Sequence, residues 1–196
     1  NAENKAQLKN LGKTSFGTPL WINKLALNTD RLILTGGIVF HDLAGFAGGR
    51  KSLLPGIAGY ESIMKNHSLS LSKNEGDGIK ETVTTNHMDD NPVNQDMLEA
   101  AAGIDVDFIF NVIPDGKGGI AAAVAGDLIK AHQKGCEICR NLFGIPLQEK
   151  SELVFASAGG YPKDINLYQG SKALVNAVRA VKKGGTLILF SECSEG

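Results

Sequence analysis

Two imidazoles and a primary amine stand close together in the segment His41-Asp42-Leu43-Ala44-Gly45-Phe46-Ala47-Gly48-Gly49-Arg50-Lys51, which is followed by Asn66-His67. Imidazole transfers protons near neutral pH and ligates metals. An unprotonated lysine amine is a nucleophile and a point of covalent attachment. Glycines such as Gly48 and Gly49 let backbone approach a bulky ligand, a nucleotide or phosphate for example. These types at this spacing describe a cofactor site. Arg50 and Lys51 would pair there with phosphate or carboxylate, or else form a solvated surface pair. His67, one turn after Ile63, reads either as a ligand or as a core-edge histidine.

A second dense cluster is Gly159-Gly160-Tyr161-Pro162-Lys163-Asp164 with Asn166-Leu167-Tyr168-Gln169-Gly170-Ser171-Lys172. Tyr168, Gln169 and Lys172 fall at i, i+1 and i+4 near a helix start. An amide beside an ammonium suits recognition of a carboxylate and a hydroxyl. The plain alternative is an ordinary amphipathic helix opening. Cys136 and Cys139 form a single CxxC well inside a helix. Structural zinc needs four ligands and a redox pair sits at a helix N-terminus, so helix packing is the simpler reading. His87, His132, Met88 and Asp89-Asp90 have no partner at useful spacing, and His132 is expected on an exposed helix face.

The elements that position these residues follow from pattern. Residues 31–39 form a short apolar run that reads as a buried strand delivering the glycine-rich loop. The spacing predicts a helix over 60–69, a long loop over 70–90, and a helix from the Asn91 cap and Pro92 to Gly103. Residues 106–113 and 119–125 read as strands joined by Pro114-Asp115-Gly116-Lys117-Gly118, an antiparallel hairpin. A helix over 127–143 is stopped by Gly144 and Pro146. Beyond it come a buried strand at 153–156, a helix over 166–182 and a buried strand at 186–190. Strands alternating with helices predict an α/β fold with mostly parallel sheet flanked by helices, one antiparallel hairpin, and parts of two lobes. The expected division is 1–147, the cofactor-holding part, and 148–196, the start of a second α/β domain.

Composition narrows the function classes. Twenty Lys and Arg against 21 Asp and Glu leave a net charge of −1, with no basic stripe for nucleic acid. No apolar run reaches the length of a membrane span, and no signal-peptide pattern opens the chain. Three cysteines, an odd count, argue against a disulfide framework and for reduced thiols in a cytoplasmic protein. Neither a G-x-G-x-x-G dinucleotide fingerprint nor a Walker A motif occurs. That weighs against a pyridine-nucleotide-dependent dehydrogenase, the rival enzyme reading. A catalytically silent metal- or nucleotide-binding module is the non-enzymatic rival.

The ordered set His41-x-Leu-Ala-Gly-Phe-x-Gly-Gly-Arg-Lys51-Ser-x-Leu-Pro-Gly56, then Asn66-His67, then Gly-Gly-Tyr-Pro-x-Asp-x-Asn-x-Tyr168-Gln169-x-x-Lys172 closely resembles the nickel-dependent lactate racemase family. The resemblance runs along nearly the whole chain. It implies an isomerase, a racemase or epimerase of lactate-like 2-hydroxy acids. Its cofactor would be a nickel pincer nucleotide, a pyridinium mononucleotide with two sulfur-containing arms, one joined to lysine as a thioamide. The resemblance puts that lysine at Lys51 and the nickel-ligating histidine at His67. It makes His41 one of two catalytic histidines, sets Tyr168 near the cofactor, and puts Gln169 and Lys172 on the substrate side. The implied chemistry is reversible hydride transfer to the cofactor while a histidine holds the hydroxyl proton. The implied partners are a small 2-hydroxy acid and the enzymes that make and insert the cofactor.

Two departures from the pattern bear on this. An Asp-His-Thr-Arg-Pro-like phosphate loop and the partner histidine do not occur upstream of His41, so the segment is expected to be a central, by itself inactive part, with its active site in the cleft between two lobes. Ala47 stands where serine is more usual, which removes one hydrogen bond.

Overall fold

The computed structural model describes residues 2–74 and 76–196. Asn1, the first residue of the expected first domain, and Glu75, within the expected 70–90 loop, lie outside the described residues. The chain divides into two compact units, Asn1–Gly144 and Ile145–Gly196. The sequence reading had set the division at 147/148.

The first unit opens with an antiparallel pair, β1 (Leu8–Lys13) and β2 (Pro19–Asn23), followed by the single turn α1 (Lys24–Leu27). This pair was not expected. β1 carries Leu8 and Leu11 three residues apart among Lys and Asn, and its register slips between Asn10 and Lys13, so no period-two signal exists. Next come β3 (Ile33–Gly37), the two-residue strands β4 (Phe40–His41) and β5 (Gly45–Phe46), and a 3₁₀ turn at Gly49–Ser52. The helices α2 (Tyr60–Ser68) and α3 (Pro92–Ala102) precede β6 (Phe108–Pro114) and β7 (Ile120–Gly126), and α4 (Leu128–Phe143) closes the unit.

The three-stranded sheet has the order β3-β6-β7, with β3 parallel to β6 and β6 antiparallel to β7. The β6–β7 pair is the hairpin expected at 106–125. Along β6, Ile109, Asn111 and Ile113 are buried while Phe108 and Phe110 face outward, the period-two alternation of a half-covered strand. α4 packs on β6 and β7. Its buried positions Ala131, His132, Gly135, Cys136 and Cys139 make one stripe at i, i+1, i+4, i+5 and i+8. The main core gathers Leu20, Ile22, Leu34, Leu53, Leu54, Val93, Met97 and Ile109. Ile38, Phe46, Ile113, Cys136 and Cys139 form a second core under α4.

The second unit contains β8 (Ser151–Ser157), α5 (Leu167–Ala177) and β9 (Val181–Phe190), with β8 and β9 parallel. Two expectations are corrected here. The helix expected over 166–182 ends at Ala177 because residues 178–180 turn and Val181 pairs with Ser151. Ladder pairing recruits Val181, and with it Lys182 enters β9, where the helical period alone would have kept both. The strands expected to be buried carry exposed side chains, Phe155 at 62% and Phe190 at 59%. Within this unit α5 is the helix packed on the two strands, and one helix covers one face.

Candidate functional site

The first cluster is built from a hairpin and a turn. β4 and β5 pair Phe40 with Phe46 and His41 with Gly45. The backbone N–H groups of Leu43 and Ala44 lie 3.2 and 3.3 Å from His41 Nδ1, and the Asp42 carboxylate is 3.1 Å from the same nitrogen. The 3₁₀ turn then brings Lys51 Nζ to 2.8 Å from His41 Nε2. Two proton arrangements satisfy this geometry. With Nδ1–H donating to Asp42, Nε2 accepts from the Lys51 ammonium. With Nδ1 accepting from the backbone, Nε2–H donates to a neutral amine.

Gly48 and Gly49 make the turn possible. Both have positive φ, 77° and 53°. A Cβ on Gly49 would stand 2.7 Å from the His132 ring, and one on Gly48 would stand 2.9 Å from Asn111 Oδ1. The tight packing is functional to the turn, since Gly49 N–H donates to Asn111 Oδ1 at 2.8 Å. Here glycine serves close approach as much as conformation.

Arg50 departs from both sequence readings. It is neither solvated nor aimed at a phosphate, being only 1% exposed. Its guanidinium donates to Asn94 Oδ1 at 2.8 Å and to the Ala44 carbonyl at 2.7 Å, and lies 3.0 Å from His132 Nε2. Burial pushes Arg50 down to about 10, so it stays a cation at neutral pH, satisfied by neutral acceptors. His132 is likewise corrected: it is buried, not exposed, and its Nε2 also lies 2.9 Å from the Ala47 carbonyl. Burial, then the Arg50 charge, push His132 down to about 4, so its ring is neutral at pH 7. His87 also has a partner, the Asp90 carboxylate.

His67 sits half-buried near the end of α2, and its Nδ1 lies 2.8 Å from the Ile63 carbonyl. A carbonyl only accepts, so Nδ1 carries the proton and Nε2 presents its lone pair. Histidine ligates metals through either ring nitrogen, and in this tautomer Nε2 is the one available. Among the described residues no three His, Cys, Asp or Glu side chains gather at one point.

The first turns of α3 tie the neighbours of both candidate residues together. Asn94 holds Arg50, next to Lys51. Asp96 Oδ2 and the Val93 carbonyl, at 2.8 and 3.1 Å, both accept from Asn66 Nδ2, next to His67. Asp96 also accepts from the Thr14 and Thr18 hydroxyls. Asn91 caps α3 and donates to the Leu43 carbonyl in the His41 hairpin. Asn66 Oδ1 is buried without a donor among the described residues. Sequence reasoning found the Asn91 cap but missed Asn94, Asp96, Asn111 and His132. A signal existed for Asp96: it stands within the apolar stripe Val93, Met97 and Ala100, where a carboxylate must be held by donors.

The second cluster lies in the second unit. Asn166 caps α5 by accepting from Gln169 N–H at 2.9 Å. Lys172 Nζ donates to Gln169 Oε1 at 2.9 Å and stands 5.1 Å from the centre of the Tyr168 ring. Lys163, Gln169, Lys172 and Asn176 line an open cavity of about 330 Å³. Tyr168 is 70% exposed. With its carbonyl engaged, Gln169 offers its N–H groups beside an ammonium, a donor set for a carboxylate or hydroxyl. Buried Asp164, accepting from Glu192 N–H, anchors the preceding loop.

Cys136 and Cys139 are buried in α4, and burial pushes the Cys136 thiol up to about 12, so the pair packs rather than reacts. Among the described residues no helix is long and apolar enough to cross a membrane.

Comparison with known proteins bears on the family. Residues 1–78 match the lactate racemase N-terminal domain and residues 147–196 the lactate racemase C-terminal domain. The chain is 38% identical over its full length to a lactate racemase of Thermoanaerobacterium thermosaccharolyticum, covering 44% of that protein. It is 37% identical over 187 residues, 95% of its length, to a lactate racemase of Lactiplantibacillus plantarum, covering 42% of it. The apoprotein structure of the Thermoanaerobacterium thermosaccharolyticum lactate racemase superimposes with a TM-score of 0.91 at 38% identity, over all of this chain and 45% of that one. A Thermotoga maritima crystal structure matches with a TM-score of 0.66 at 20% identity, covering 95% of this chain and 49% of that one, a likeness of fold alone. The chain thus spans less than half the length of these relatives, and it belongs to the lactate racemase family.

Proposed function

We propose that the full-length protein containing this chain is a racemase or epimerase of small 2-hydroxy acids, with Lys51 and His67 holding a nickel pincer nucleotide and His41 handling the substrate's hydroxyl proton. The observation that carries the reading is the Lys51–His41 pair at 2.8 Å on a turn only glycine permits. The residues fit such a group. Lys51 supplies an amine for attachment on the turn that Gly48 and Gly49 form, glycines whose own close approach is to Asn111 and His132. His67 supplies one imidazole lone pair, its Nδ1–H being held by the Ile63 carbonyl.

When bound, the cofactor supplies an electrophilic carbon that accepts hydride, so the substrate carbon need not become a carbanion. The chain's own residues do the rest. His41 Nε2 takes the hydroxyl proton while Asp42, 3.1 Å from Nδ1, holds the ring and steadies the imidazolium. Lys172 and the Gln169 amide bind the carboxylate, with Tyr168 flanking Lys172. A second histidine for the opposite enantiomer belongs to the part of the protein outside this chain. Reduced thiols at Cys136, Cys139 and Cys193 accord with work in the cytoplasm, where cofactor-making enzymes would load it.

The test is the full-length protein produced together with cofactor-synthesis enzymes. Chiral analysis over a panel of 2-hydroxy acids should show interconversion of enantiomers, and peptide mass spectrometry should find Lys51 modified. Active enzyme with unmodified Lys51 would refute the attachment, and Lys51→Ala with His67→Ala should lose bound nickel.

A further inference from the structure

We propose that His41 is the base that prepares Lys51 for covalent attachment, with Asp42 orienting it, so that one imidazole serves first in installing the cofactor and later in the reaction. The inference rests on the reading of Lys51 as the attachment point. A lysine at neutral pH is an ammonium without a lone pair, and it must lose a proton before it can attack carbon. An imidazole nitrogen 2.8 Å from Nζ is within hydrogen-bond reach for that transfer. The far side of the ring faces a carboxylate at 3.1 Å. Nucleophile, base and orienting acid thus stand in line, as in other activated nucleophiles.

The elements hold that line fixed. The β4–β5 pairing sets His41, and in the arrangement with Nδ1–H directed to the Asp42 carboxylate its Nε2 lone pair faces Lys51. Arg50, locked to Asn94 and the Ala44 carbonyl, ties the turn that carries Lys51 back to the hairpin that carries His41. The amine and imidazole therefore meet through a rigid loop rather than by chance contact of two surface side chains.

The step balances with an activated thioacyl group, a C(=S) carbon bearing an alkoxide or thiolate leaving group, as the incoming reactant. Lys51 Nζ passes one proton to His41 Nε2. The freed lone pair forms a bond to the thioacyl carbon. The bond from that carbon to its leaving group then breaks, the leaving group departs with the proton returned from His41, and the nitrogen gives its surplus proton to solvent. A thioamide remains, and nothing is oxidised or reduced. Afterwards the nitrogen bears no positive charge, and Nε2 is released to accept the proton of a substrate hydroxyl.

The experiment uses the full-length protein without cofactor and ethyl dithioacetate, which thioacetylates amines and releases ethanethiol. Site-resolved mass spectrometry gives the rate at Lys51, with exposed Lys9 and Lys150 as internal references. His41→Asn should slow Lys51 about a hundredfold and leave the references unchanged. Asp42→Asn, which keeps an oxygen facing Nδ1, should slow it less. Free imidazole should restore the rate in His41→Ala. An equal or faster Lys51 rate in His41→Asn with native circular dichroism overturns the proposal. If the His41 variants fail to fold, an unchanged Lys51 rate in Asp42→Asn overturns it. Lys51 found unmodified in active holoenzyme would refute the attachment itself, a separate failure.

Discussion

The two candidate clusters are built in opposite ways. Around Lys51 and His67 the supporting groups are buried: Arg50, Asn66, Asn94, Asp96 and Asn111 each spend hydrogen bonds inside the protein. Around Gln169 and Lys172 the side chains stand on the first turns of one helix, lining an open cavity, with Tyr168 largely exposed. On the proposed function, groups that hold a cofactor covalently would need fixed separations, which a closed polar network supplies. Groups that receive and release a small acid would gain from access to solvent.

That contrast can be broken or sharpened by mutation. The largest effect is expected at Asp96. Asp96→Ala leaves the Thr14 and Thr18 hydroxyls and the Asn66 amide without their acceptor, and should cost about 3–5 kcal/mol in urea unfolding of the full-length protein. Nickel bound per protein should fall with it, because His67 follows Asn66. A loss below about 1 kcal/mol would mean that α3 does not hold the first cluster rigid.

His132 gives the next effect, and its sign follows from its lowered proton affinity. The folded ring titrates at about 4 against an ordinary 6.5. The unfolded chain therefore binds more protons than the native one between these values, and stability falls as pH drops from 6.5 to 4. At about 1.4 kcal/mol per pH unit the loss reaches about 3 kcal/mol, then levels off below pH 4. Comparing urea midpoints of wild type and His132→Gln across this range checks it, since the variant should lack this part of the slope.

Lys172→Ala should do the reverse of Asp96→Ala. It should raise KM for the hydroxy acid about tenfold to a hundredfold, the loss of one charge-assisted contact, while unfolding shifts by no more than about 0.5 kcal/mol. The smallest change is expected for Tyr168→Phe, which keeps the ring beside Lys172. Its melting temperature should match wild type, and a clear drop would show that the second cluster is load-carrying after all.

Much of this was legible in sequence where the signal is local. Asn91-Pro92, Asp127 and Gly144 marked helix ends that the structure bears out, and the turn at 114–118 marked the β6–β7 hairpin. Failures came where distant parts decide. Arg50 beside Lys51 looks in sequence like a basic pair, yet its side chain goes inward because Asn94, 44 residues away, and His132, 82 away, complete a pocket for it. His132 looks exposed on a helical wheel because its partners lie in another segment. Val181 continues a helical pattern until pairing with Ser151 of β8 takes it.

By itself, the order of residue types set out which groups are able to react: an amine, two imidazoles, and an amide beside a second ammonium. Local rules of capping, turn chemistry and periodicity placed most of the helices and strands, because those energies depend on near neighbours. Which groups touch, which tautomer His67 adopts, and which of two adjacent cations is buried were decided only by the tertiary structure. Hydrogen bonds are met or lost in three dimensions, and a buried donor takes whichever acceptor the fold brings within 3 Å or so.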